Sequence, residues 1–203
     1  MTTSPESNVL AGRRVLVTGG SRRLGRATSL RLGQAGADVA VHYLSDEEGA
    51  RRTVADLEAQ GVRAASFPAD LADAKACAAL VEAVETELGP LDVLVNNAAM
   101  FERTPLDSMD IDDFDRHMAA NARSVYALSM HAGRRMKKRG RGVILNIADV
   151  AGWRPWPGFI PYSASKGTVV NLTGGFARAL APEVRVNAIA PGPMLPPAGE
   201  SPE

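Results

Sequence analysis

The amino-acid sequence predicts a doubly wound α/β domain built on a parallel sheet. Short β-rich runs alternate with longer helical patterns from one end to the other, and several of the runs are almost continuously apolar. Parallel strands covered on both faces read in this way. The length of 203 residues, with 45% hydrophobic and 23% charged, suits one domain with a real core.

The expected strands are 13–18, 38–42, 63–67, 91–96, 142–148 and 184–190. The helical patterns between them cover 25–35, 45–60, 72–88, 110–139 and 161–180. Ser45-Asp46-Glu47-Glu48 offers a capping box to the second helix, and Gly61 and Gly89 stop the second and third. Along the fourth helix, Ile111, Phe114, Met118, Val125, Leu128 and Ala132 make an apolar stripe that includes Asn121. A buried amide needs partners, so Asn121 is either a bridge between helices or a functional group. Residues 191–203 are too rich in proline to form a helix or a paired strand. The expected layout is a flexible tail over 1–10, one domain over 11–192 and a Pro-rich tail over 193–203.

Lys plus Arg and Asp plus Glu both number 23, which argues against general affinity for nucleic acid or anionic membrane. Residues 1–10 lack the apolar run of a secretion signal, and no stretch approaches the ~20 apolar residues of a membrane span. A cytoplasmic protein is expected. Cys77 is the single cysteine, so no internal disulfide can form, and it reads as a small buried side chain. His117 and His131 have no metal-ligand partners at suitable spacing and read as surface residues, so no metal is expected.

Two motifs carry chemistry. Thr18-Gly19-Gly20-Ser21-Arg22-Arg23-Leu24-Gly25 follows the first strand and opens the first helix, where glycines let a backbone approach a pyrophosphate seated on the helix N-terminus. Tyr162 and Lys166 lie four residues apart on the last helix, on one face. An ammonium beside a phenol favours the phenolate and so makes the hydroxyl a usable acid at neutral pH. The same spacing also suits an amphipathic helix with no catalytic role. At the end of the second strand, where an acid would bind the ribose of NAD, the chain has Val39-Ala40-Val41-His42-Tyr43. Arg22, Arg23 and His42 instead suit the extra phosphate of NADP, although Asp46 is close enough in sequence to reach a ribose.

Together with Asn96-Asn97-Ala98-Ala99 after the fourth strand, Asn121 and Pro191-Gly192, these motifs resemble the short-chain dehydrogenase/reductase family, in order and over nearly the whole chain. The resemblance implies a Rossmann-type domain, NADP(H) as cofactor, a small-molecule substrate and a homo-oligomer. It places Gly19, Ser21, Arg22, Arg23, Leu24, Gly25, His42, Tyr43, Asp70, Leu71, Asn97, Ala98, Ala99, Tyr162, Lys166, Pro191 and Gly192 around the cofactor. Asp70 also reads as a helix-capping residue. Asn121 would hold a water in a proton relay toward Lys166.

Arg23 stands where that family usually has glycine, and Asp149 where it usually has a catalytic serine. Both departures resemble the pteridine reductase branch, as does Phe101, the aromatic that there stacks a pterin on the nicotinamide. The resemblance implies an NADPH-dependent reduction of a dihydropteridine C=N bond, with Arg23, Phe101, Asp149 and Tyr162 at the substrate. Trp153 and Trp156 would wall the pocket or serve subunit packing. A ketone reductase is the alternative activity. Relatives continue past Pro191-Gly192 into a substrate-covering helix and a seventh strand, so a shortened cofactor-binding protein without turnover is a third reading.

Overall fold

A computed structural model of the chain describes residues 8–192. Six strands form one fully parallel sheet: β1 (Arg14–Val17), β2 (Asp38–Tyr43), β3 (Ala64–Pro68), β4 (Val93–Asn96), β5 (Gly142–Ile147) and β6 (Val184–Ile189), in the order β3-β2-β1-β4-β5-β6. The helices are α1 (Arg23–Gln34), α2 (Glu47–Ala59), α3 (Ala74–Leu88), α4 (Ile111–His117), α5 (Ser124–Lys138) and α6 (Ile160–Leu180). Every expected strand is present, and every expected helix but the fourth forms as one helix. Of the expected tails, 1–7 and 193–203 lie outside the described residues, whereas 8–10, expected as part of the flexible tail, form a turn in which the Leu10 N–H donates to the Ala35 carbonyl at 2.8 Å. Among the described residues, no helix is long and apolar enough to cross a membrane.

Alternation along β1 builds both layers. Val15 and Val17 pack with Val39, Val41 and Leu57, while Leu16 packs with Leu80, Val84, Leu94, Leu128 and Ile144 on the opposite face. Cys77 lies in this second layer, and burial together with Asp73 pushes its thiol up to about 11, which keeps it inert. The cap of α2 is Asp46, whose carboxylate accepts the Gly49 N–H at 3.0 Å, one residue later than the capping box expected from Ser45.

The expected fourth helix is divided. Between α4 and α5 runs a π-helical segment, Met118–Arg123, that contains Asn121. Each π turn holds about one residue more than an α turn, so residues beyond it are rotated by roughly 100° relative to a continuous α-helix. The apolar stripe therefore loses phase. Val125, Leu128 and Ala132 are buried, but Ile111 and Phe114 are exposed, contrary to expectation. For the same reason His117 turns inward and is fully buried instead of lying on the surface; its Nδ1 bonds the Asp113 carbonyl at 2.8 Å.

At the amino-terminal edge of the sheet, three strand entries meet on Asp92. Its Oδ2 accepts the Arg14 N–H at 3.1 Å and pairs with the Arg14 guanidinium at 2.9 Å, while Oδ1 faces Arg13 and Arg141 at 3.5 and 3.4 Å. Burial opposes the charge on Asp92, but the Arg14 hydrogen bonds and the nearby guanidinium charges outweigh it and hold the carboxyl below its ordinary range. Asp92→Asn should cost about 1–2 kcal/mol at neutral pH by chemical denaturation, since its arginine partners remain partly solvated. The deficit should shrink as pH falls below about 4, because wild type loses this contribution once the folded carboxyl is protonated.

Candidate active site

The strand order reverses between β1 and β4, and the residues singled out from sequence gather at the carboxyl ends of β1, β4 and β5 and on α6. Thr18 fixes the crevice there. Its hydroxyl accepts the N–H groups of both Asn97 and Ala98 at 2.9 Å and donates to the Val95 carbonyl at 3.3 Å. Asn97 returns the contact, its amide nitrogen donating to the Thr18 carbonyl at 2.8 Å and the Gly19 carbonyl at 3.3 Å. A Cβ on Gly25 would stand 1.9 Å from the Gly19 carbonyl oxygen, so this position tolerates nothing larger than glycine. Helix α1 begins with no side-chain cap and no acid in its first turn. Arg22 and Arg23 are exposed there, and Arg23 holds a left-handed backbone, with φ of +48°. Its first-turn N–H groups and two cations suit an anion.

His42 differs from the expectation that it faces a phosphate. It is 2% exposed, and its Nδ1 accepts the Gly19 N–H at 3.0 Å while Nε2 meets the Ala69 carbonyl at 3.0 Å. Both ring nitrogens are engaged, and burial lowers its pKa against the opposing Ala69 bond, so it brings neither charge nor a free donor to a ligand. Tyr43 is half-buried at the same strand end. Asp70 accepts the Ala72 N–H at 2.9 Å, whereas the cap of α3 is Asp73; Leu71 belongs to the core. Ser21 is buried, Leu24 and Ala98 are half-buried, and Ala99 is exposed. The Pro191 carbonyl accepts the Val150 N–H at 3.2 Å beside Asp149, and Gly192 is exposed.

Tyr162, Lys166 and Asp149 do converge. The Tyr162 hydroxyl donates to Asp149 Oδ2 at 2.8 Å, and Oδ1 accepts the Ala151 N–H at 2.8 Å. Lys166, 4% exposed, donates to the Ile147 carbonyl at 2.7 Å, with Nζ 5.8 Å from the Tyr162 ring centroid. This geometry corrects the expected electrostatics. Burial, the hydrogen bond to Asp149 and the charge of Asp149 push the phenol well above its ordinary value, and the ammonium does not reverse this. Burial presses Lys166 down to about 8, against the pull of Asp149. Tyr162 is thus held as a protonated phenol, and the same upward shift makes it a weaker acid than a free tyrosine.

The Asn121 side chain is fully engaged by protein partners. Its Oδ1 accepts the Met100 N–H at 2.7 Å, and its Nδ2 donates to the Met100 carbonyl at 2.9 Å and to Ser165 Oγ at 3.0 Å. The side chain therefore clamps the loop after β4 to α6. Ser165, which donates to the Tyr162 carbonyl at 2.6 Å, was not anticipated, although its spacing puts it on the Tyr162 side of α6. Phe101 stands edge-on to the Tyr162 ring at 4.8 Å and stacks on Phe159 at 4.6 Å, with Trp156 edge-on to both. Phe159 was also missed; Trp153 is exposed and outside these ring contacts.

Comparison with known proteins agrees with this geometry: the chain belongs to the short-chain dehydrogenase family, whose profile matches residues 13–201. It is 40% identical to 3beta-hydroxysteroid dehydrogenase 1 of Eggerthella lenta over 93% of this chain and 73% of that protein. It is 36% identical to gluconate 5-dehydrogenase of Gluconobacter oxydans, with the same coverage. Among solved structures it resembles FolM alternative dihydrofolate reductase 1 from Brucella canis, complexed with NADP, at a TM-score of 0.86 and 35% identity, over 94% of this chain and 77% of that one.

Removing the charge of Asp149 should release the phenol. In Asp149→Asn, the Tyr162 titration followed by phenolate absorbance should move down in pH relative to wild type, with Tyr162→Phe as the blank. An unmoved titration would show that burial alone sets it.

Proposed function

We propose that the protein is an NADPH-dependent reductase that reduces the C=N bond of a dihydropteridine-type ring. The observation that carries this reading is the hydrogen bond between the Tyr162 hydroxyl and the Asp149 carboxylate. A carboxyl in place of a hydroxyl suits proton exchange with a ring nitrogen, and the likeness to an NADP-bound alternative dihydrofolate reductase supports the substrate class.

The residues present fit a dinucleotide. The crevice at the β1–β4 reversal is floored by glycine where a Cβ would collide, and the open start of α1 offers donors with Arg22 and Arg23 beside them. We assign Arg22 to the extra phosphate of NADP, Arg23 to the cofactor phosphates, Asp70 to the adenine side, the 97–99 segment and Pro191-Gly192 to the nicotinamide side, and Lys166 to the nicotinamide ribose. When bound, NADPH supplies the hydride.

The chain's own residues handle the proton and the substrate. Tyr162 holds a proton at Oη and delivers it to the substrate nitrogen, and Asp149 Oδ2 is the group through which the phenol exchanges it. Lys166, tied to the Ile147 carbonyl, keeps a positive charge near the phenolate left by that delivery. Asn121 fixes the Met100 backbone, and with it the position of Phe101. Phe101, Trp156 and Phe159 present ring faces and edges beside Tyr162, a surface that favours a flat aromatic substrate.

A second reading is a ketone reductase or alcohol dehydrogenase, favoured by the 40% and 36% identities to hydroxysteroid and gluconate enzymes. NADPH oxidation with dihydropterins, dihydrofolate, ketosteroids and keto-gluconate separates the two. Turnover only with the carbonyl compounds would overturn the pteridine reading, and NADPH binding without any turnover would leave a cofactor-binding protein. Tyr162→Phe should lower kcat/KM about a thousandfold with NADPH affinity nearly unchanged. Arg22→Ala should raise the KM for NADPH about tenfold and leave that for NADH almost unaltered.

A further inference from the structure

His42 is the one strongly polar side chain among the buried interior positions of β2: Val39, Ala40 and Val41 before it are fully buried, and it is 2% exposed. Its ring joins two loops that leave different strands. Nδ1 meets Gly19 in the loop after β1, and Nε2 meets Ala69 in the loop after β3, both at 3.0 Å. The tautomer follows from the partners. A backbone N–H can only donate, so Nδ1 carries its lone pair; a carbonyl can only accept, so Nε2 carries the proton. Burial, which disfavours the imidazolium, keeps the ring in this neutral state.

The main chain of His42 adds a third tie, since its carbonyl accepts the Gly20 N–H at 2.8 Å. One residue thus holds two consecutive N–H groups of the glycine-rich loop. From the other side Asn97 holds the Gly19 carbonyl at 3.3 Å. The Gly19 peptide is gripped at both ends, in a left-handed conformation with φ of +63° and with a Cβ position only 3.1 Å from Ala98 Cα. Its N–H is consequently engaged by the protein, and the donors left for a phosphate lie further along, at the start of α1.

We infer that His42 is a positioning residue for the cofactor. Without touching the nucleotide, it fixes the height of the Gly19-Gly20 turn against the Ala69-Asp70-Leu71 loop, so that the phosphate side and the adenine side of the crevice are set before NADPH arrives. The inference rests on the cofactor assignment above. Without the imidazole acceptor, the Gly19 N–H is left unpaired in a closed setting, and the loop must be ordered at the expense of binding. The reacting atoms are unaffected, so the effect falls on NADPH affinity and not on the chemical step.

Three substitutions separate the two bonds. In His42→Asn the amide oxygen replaces Nδ1 and keeps the Gly19 contact; in His42→Gln the longer amide reaches Ala69 instead; His42→Leu keeps bulk and loses both. Expected for His42→Gln and His42→Leu is a rise of about tenfold in NADPH Kd and KM, the size of one lost buried hydrogen bond, with kcat at saturating NADPH changed less than about twofold. His42→Asn should return Kd to within about threefold of wild type. In the nucleotide-free protein, the Gly19 amide should exchange slowly in wild type and His42→Asn and rapidly in His42→Gln.

Equal affinity losses in His42→Asn and His42→Gln would reduce His42 to a packing residue and overturn the inference, as would unchanged affinity in both. This pair decides the matter even where His42→Leu fails to fold. Absence of NADPH binding in wild type would overturn the cofactor assignment and the inference with it, whereas binding by wild type alongside insensitive variants overturns the inference alone.

Discussion

A single hydroxyl group joins the two halves of the sheet at the point where they diverge. Thr18 Oγ1 takes the N–H groups of Asn97 and Ala98 and gives its proton to Val95. Strands that part at their carboxyl ends expose backbone donors, and an unsatisfied donor in a closed crevice costs about 1–3 kcal/mol. Thr18 satisfies two of them and fixes the width of the opening. The Asn97 amide and the His42 imidazole then hold the Gly19 peptide from opposite sides. The crevice is therefore defined by short polar contacts between strand ends, and the apolar layers beneath it supply rigidity.

The second constraint is electrostatic. Tyr162 lies between a carboxylate that accepts its proton at 2.8 Å and an ammonium that donates elsewhere, to the Ile147 carbonyl at 2.7 Å. In a buried site the nearer, hydrogen-bonded charge dominates, and that charge is negative. A serine at position 149 would leave the ammonium unopposed. The aspartate reverses the balance and holds the phenol in its protonated form.

Most of this architecture was legible in the sequence. Strand and helix positions follow from periodicity and glycine punctuation, because a parallel sheet forces apolar runs that little else produces. The convergence of Asp149, Tyr162 and Lys166 was legible from motif order. What escaped was the direction of side chains. His42 looked like a phosphate ligand because of its place at a strand end, yet pleating turns it inward, where two carbonyl- and amide-bearing loops wait. Asn121 was recognised as buried, but its partners belong to Met100 and Ser165, contacts 21 and 44 residues away that no local pattern encodes. The misread His117, Ile111 and Phe114 share one cause: a π turn resets helical phase, and a 3.6-residue pattern carries no sign of it.

The strand order also sets how much of the chain a crevice needs. β1 and β2 are neighbours in sequence as well as in space, but β1 meets β4 only across an intervening stretch that includes α1, β2, α2, β3 and α3. The contacts between Thr18 and Asn97 close a loop of 79 residues. Closing that span costs more chain entropy than closing the local βαβ units. The first three strands alone would possess the glycine-rich turn and its histidine brace yet have no opposing wall, so nucleotide recognition depends on the longest-range pairing in that half of the sheet.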